Sequence, residues 1–257
     1  MELIPKPNEP MYSINEVIDA MAQRLHVFQQ CSDHRAVFQR VYLLMTKEMQ
    51  RRLESAFFND PVWMERVLIG FAQYYFDAMD AFEAGKPCSP AWELAFQQAT
   101  SKRGFVLQDA LLGINAHINN DLPLVLYRIL EEDQSWPDAR IMLKRRLDHE
   151  RINDVLEYLL DQVQDELTLH YARFIGIIDR VMGRKDESLS SVILTHFRTR
   201  VWNNTEFLLN ALDDHQRKNV QNRIEREALD IGQKVAYFRT FRRMSYLAPI
   251  TRRNRWF

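Results

Sequence analysis

The chain predicts an all-α fold, a single domain of about eight or nine packed helices, and three observations carry that expectation. Only 7 of 257 residues are glycine, under half the usual share of roughly 7%. No proline falls between Pro137 and Pro249, so the strongest helix breaker is missing from that whole stretch. Apolar residues recur at three- and four-residue spacing in segment after segment, and no alternating strand pattern occurs.

The elements follow in order. Residues 1–12, with Pro5, Pro7 and Pro10, read as an extended arm. Ser13 and Glu16 of "SINE" form a capping box that opens a helix to about Gln30. A second helix follows over "DHRAVFQRVYLLMTKEMQRRLESAF", with Asp33 as its cap. In the third, Asp60 caps, Pro61 takes the first helical position and Gly85 ends it. Ser89, Pro90 and Gly104 repeat that grammar for a fourth. A fifth runs from about Phe105 to about Leu130. Another begins after "SWPD" and continues through "RINDVLEYLLDQVQDEL", and Gly183 closes a further segment. "ESLSSVILTHFRTRVWNNTEFLLNAL" and "RKNVQNRIEREALDIGQKVAYFRTF" complete a helical domain over 13–243. Residues 244–257 form a basic, aromatic C-terminal tail.

The composition limits the function classes. Net charge is −1, so no global field marks a nucleic-acid or membrane partner. No window approaches the 18 apolar residues that a membrane span needs, and the N-terminus lacks the basic start and apolar run of a signal peptide. Cys31 and Cys88 give neither a disulfide framework nor a zinc pattern. A cytoplasmic protein is expected. The last 19 residues hold six arginines and no acid, leaving the first 238 with 28 basic and 35 acidic residues. That tail either lies across the acidic body or forms an arm for a partner subunit, anionic lipid or nucleic acid, the last bound weakly and without sequence preference.

Familiar catalytic signatures are missing. There is no phosphate-cradling glycine loop, no G-x-S-x-G elbow and no Glu-x-x-His. "HERIN" breaks the zinc-protease pair because Asn153 stands where a second histidine belongs. The informative stretch is "GINAHINNDLP". On a helix His117 and Asp121 share one face, together with Val106, Ala110, Gly113 and Leu124, so the pair is expected to point inward. Gly113 would leave space beside the imidazole, and Pro123 would free the carbonyl of Asn119. His149 and Asn153 interrupt a second apolar line, and Arg198 and Trp202 a third. A buried Arg198 needs an anion, either Asp121, Asp148 or a substrate group. Tyr75 and Asp77 of "YYFDAMD" add polar groups on a further helix.

The strings "FFNDPVWM", "FAQYYFDAMDAF", "PAWELAF", "LLGINAHINNDLPLVL" and "RTRVW" resemble the bacterial domain-of-unknown-function family 5995, from about Ile14 to about Leu212. That resemblance implies an α-helical domain whose signature contains His117 and Asp121, and it implies no established reaction. His-x-x-x-Asp is also similar to one element of the helical zinc-dependent phospholipase C and single-strand nuclease group. The second histidine of that group is replaced here by the run Leu124 to Tyr127.

Two functions are therefore expected from different classes. One is a metal-assisted hydrolase or lyase for a small anionic substrate. A divalent zinc or manganese would sit on His117, Asp121 and His149 or Asp77, with Arg198 holding the anion. Asn119, Asn153, Tyr75 and Trp202 would line its site. The other is a non-catalytic small-molecule binding or interaction protein, in which the buried polar groups fix helix registry.

Overall fold

The computed structural model describes residues 13–101, 106–134, 136–159 and 187–237. Among these residues every regular element is helical. The elements are α1 (Ile14–Gln30), α2 (Arg35–Glu54), α3 (Pro61–Glu83), α4 (Pro90–Ser101), α5 (Val106–Asn115), a π-helical turn (Ala116–Asp121) and α6 (Leu122–Glu132). They are followed by α7 (139–159), α8 (Glu187–Leu209) and α9 (Asp214–Ala236). The N-terminal arm, the region of Gly183 and the C-terminal tail lie outside the described residues.

The local signals act as their chemistry requires. Ser13 Oγ accepts from the Glu16 N–H while Glu16 accepts from that of Ser13. Asp60 accepts from the Trp63 N–H behind Pro61. The end of α3 is a Schellman turn: Lys86 N–H donates to the Ala81 carbonyl and Gly85 N–H to that of Phe82. Gly85 adopts φ +64°, where a side chain would be strained. Asp33 accepts from the Arg35 N–H, although His34 takes the capping position itself. Asp213 caps α9, so that helix starts earlier than its apolar pattern suggests.

The helices pack around α5, the π turn and α6, which form one continuous central rod over 106–132. One apolar cluster joins α1 to α5 and includes Met21, Tyr75, Phe76 and Trp92. A second joins α2, α3, α6, α7 and α8 and includes Met49, Trp63, Leu126 and Val201. The π turn lies where the two meet: Ala116 belongs to the first cluster and Ile118 to the second, while Phe71 and Ile114 pack against both. All six of its residues are buried.

Candidate functional site

The site begins with a departure from α geometry. Pro123 has no N–H, so the register cannot run undisturbed through it. The preceding six residues adopt wider i→i+5 bonding, and Leu122 N–H donates to the His117 carbonyl. This shifts the face expected from a 100° projection. Ile114, His117, Ile118 and Leu122 look onto one cavity, while Leu124 is only half-buried and does not line it. The empty space expected beside Gly113 is also filled. A Cβ there would come within 2.5 Å of the Phe38 ring, so the glycine admits Phe38 and not a ligand.

His117 and Asp121 are both buried and within 3.1 Å, His117 Nδ1 to Asp121 Oδ2. A carboxylate only accepts, so the imidazole proton sits on Nδ1 and Nε2 is left as an acceptor. Asp121 is fully engaged. Its Oδ2 also accepts from Trp92 Nε1–H at 2.7 Å, and its Oδ1 from the Asn120 amide at 2.8 Å. The imidazole stacks on Phe71, 3.4 Å between centroids, with Tyr42 edge-on at 4.4 Å. Burial lowers the His117 pKa, against the raising effect of Asp121. Its Nε2 is buried and has no hydrogen-bond partner among the described residues.

The cavity holds about 150 Å³. Its walls are mostly apolar, including Phe38, Met49, Phe71, Ile152 and Leu159, and His117 and Arg198 stand among them. Thr46 also lines it, but its hydroxyl donates to the Tyr42 carbonyl.

Arg198 does not pair with Asp121 or Asp148. Asp148 accepts from the Asn59 and Asp60 backbone N–H groups and from the Asn59 amide, with Arg151 at 3.8 Å. Arg198 instead meets His149. One guanidinium nitrogen, Nη2, donates to the His149 carbonyl and to His149 Nδ1 at 3.1 Å, while His149 Nε2–H donates to the Arg198 carbonyl at 3.0 Å. That pairing requires a neutral imidazole. Burial, and then the Arg198 charge, push the His149 pKa well down. Burial alone lowers the Arg198 pKa to about 9. Among the described residues no carboxylate pairs with Arg198, and its Nε–H meets no acceptor.

The other expected residues lie elsewhere. Asn119 donates to Asn115, whose own amide donates to the Ala228 carbonyl of α9, so this pair fixes the rod against α9. Asn153 is half-buried, its Oδ1 lacks a partner, and it does not line the cavity. Tyr75 is buried behind Phe38 and donates to Gln39. Trp202 donates to Glu206, with its ring 5.5 Å from that of His149. Asp77 is exposed and accepts from Gln73.

The side chains expected to hold a divalent metal are not gathered at one point: His117 Nδ1 and both Asp121 oxygens bond to other groups, His149 Nδ1 accepts from Arg198 and Asp77 is exposed, which leaves His117 Nε2 as the open donor of that set. Among the described residues no group of three or more His, Cys, Asp or Glu could hold one. No described helix is long and apolar enough to cross a membrane.

Reasoning from sequence missed Trp92 and Phe71, the partners that fix Asp121 and His117. For Trp92 a signal was present, since an indole N–H in an apolar helix face needs an acceptor. Phe71 carried none, because its stacking depends on how α3 crosses the rod.

A family model described as a family of unknown function (DUF5995) matches residues 14–237. No curated protein and no solved structure matches the chain.

Proposed function

The chain belongs to DUF5995, and from that premise we propose that it is a small-molecule-binding protein whose ligand occupies the cavity beside His117. One observation carries the reading: His117 lines a cavity of about 150 Å³, and its Nε2 is a buried acceptor with no partner among the described residues. Buried polar atoms are almost always hydrogen-bonded, and leaving one unmade costs about 1–3 kcal/mol. A ligand O–H or N–H placed on Nε2 removes that cost. A dry apolar cavity of about this size takes a molecule as large as benzene, so the ligand is a compact apolar body with one donor.

The same geometry favours a second, catalytic reading. Asp121 fixes the tautomer of His117, which leaves Nε2 ready to take a proton from a bound group. A hydrolase or lyase would then use His117 as a metal-free base. Sustained turnover that disappears in His117→Phe distinguishes it from binding alone. The free thiols of Cys31 and Cys88 suit a reducing compartment, which supports a cytoplasmic location.

Toluene and phenol test the binding reading by thermal shift and calorimetry. Phenol should bind about tenfold tighter than toluene, and His117→Phe should abolish that difference while keeping a ring against Phe71. A ligand at 100 times its Kd adds about 2.7 kcal/mol of stability. No binding of either molecule, or an equal preference for phenol in His117→Phe, would overturn the reading.

A further inference from the structure

Arg198 is the second unsatisfied group on the same cavity. It enters from α8 and is buried, with its Nε–H lacking an acceptor among the described residues. Its side-chain partners among the described residues are a carbonyl and a neutral imidazole nitrogen, and neither carries charge. The two buried acids that sequence nominated for it, Asp121 and Asp148, each spend their oxygens on other donors. A guanidinium taken out of water without a counter-charge is costly, and it is placed here where a ligand would lie.

We propose that the cavity takes a small apolar monocarboxylic acid, with its carboxylate on the Arg198 guanidinium and its hydrocarbon body between the Phe71 and Met49 side chains. This inference rests on the pocket reading above and adds the charge of the ligand.

Charge balance selects a monoanion. Among the described residues the cavity wall carries one cation, because His149 accepts from Arg198 and so remains neutral, while His117 is disfavoured from protonating by its burial. A phosphate monoester would bring close to two negative charges to a single guanidinium with few free donors. A carboxylate needs only the Nε–H and the remaining charge. A large polar body suits the described walls poorly, since besides Arg198 and His117 only Tyr42 and Thr46 among the lining residues carry a polar side-chain atom, and the Thr46 hydroxyl is spent on the Tyr42 carbonyl. An acid that also carries an O–H or N–H remote from its carboxylate would satisfy both Arg198 and His117.

Benzoate and benzamide share a shape and differ in charge, so they test the inference on the wild-type protein without any substitution. Calorimetry at neutral pH should show benzoate at least tenfold tighter than benzamide, and phenyl phosphate weaker than benzoate. In Arg198→Met the affinity for benzoate should fall at least tenfold, with toluene unchanged within threefold. If toluene or benzamide binds and benzoate does not, the carboxylate assignment is overturned and the pocket reading stands. Tighter binding of phenyl phosphate overturns the monoanion. If none of these molecules binds the wild type, the pocket reading fails and the carboxylate assignment with it.

Discussion

Replacing Asp121 by alanine strands three donors at once: Trp92 Nε1–H at 2.7 Å, the Asn120 amide at 2.8 Å and His117 Nδ1–H at 3.1 Å. The Trp92 ring is held by stacking on Phe96 at 4.9 Å and cannot turn to another acceptor. Asn120 can rotate its amide, and His117 can move its proton to Nε2, so not all of the loss is felt in full. Trp92 then bears its loss in full and the other two in part, together equivalent to about two groups at about 1–3 kcal/mol each, so the expected cost is about 4 kcal/mol, a large part of a typical domain stability of about 5–15 kcal/mol. Asp121→Asn should be far milder, about 1 kcal/mol. One oxygen still serves Trp92 and His117. The new NH₂ group meets Asn120, whose Oδ1 is buried without a partner and becomes its acceptor once that amide turns over. Urea unfolding of wild type and both variants reads these differences as changes in midpoint at constant slope. If alanine costs less than about 1 kcal/mol, or asparagine costs as much as alanine, Asp121 does not hold this network together.

Three further outcomes are expected. Burial keeps both His117 and His149 less basic than in the unfolded chain, so below about pH 6.5 the unfolded state binds more protons. Stability should therefore fall as pH drops through 6.5 toward 5.5, with a slope of up to two protons, about 2.7 kcal/mol per pH unit. His117→Phe should remove about one proton from that slope, and an unchanged slope would refute it. Gly113→Ala should cost about 1–3 kcal/mol through overpacking against Phe38, which is itself wedged between Tyr75 and Trp92. Gly85→Ala should cost about 1 kcal/mol, from backbone strain alone, since nothing lies within 4 Å of the added methyl; equal costs in chemical denaturation would count against the steric account.

Helix existence was legible in the sequence because it depends on neighbours along the chain. The capping box at Ser13, the cap and proline at Asp60 and Pro61, and the stop at Gly85 each act over a few residues, and each appears as read. The inward placement of His117 and Asp121 was legible for the same reason, since a spacing of four survives the change from α to π winding. What Gly113 makes room for was not legible, because Phe38 arrives from a helix 75 residues away in sequence.

The partner of Arg198 was the harder question. Sequence alone established that a buried arginine on an apolar line needs something to bond, and it offered Asp121 and Asp148 on grounds of charge. Only the packing of α7 on α8 decided for His149, while the loop before α3 and the indole of α4 claimed the two carboxylates first. Burial costs are set by a residue's own chemistry and so can be read along the chain. Which donor reaches which acceptor is set by the crossing of helices far apart in sequence, and that crossing put His117 and Arg198 on the wall of one cavity, with His117 Nε2 and Arg198 Nε unpartnered among the described residues.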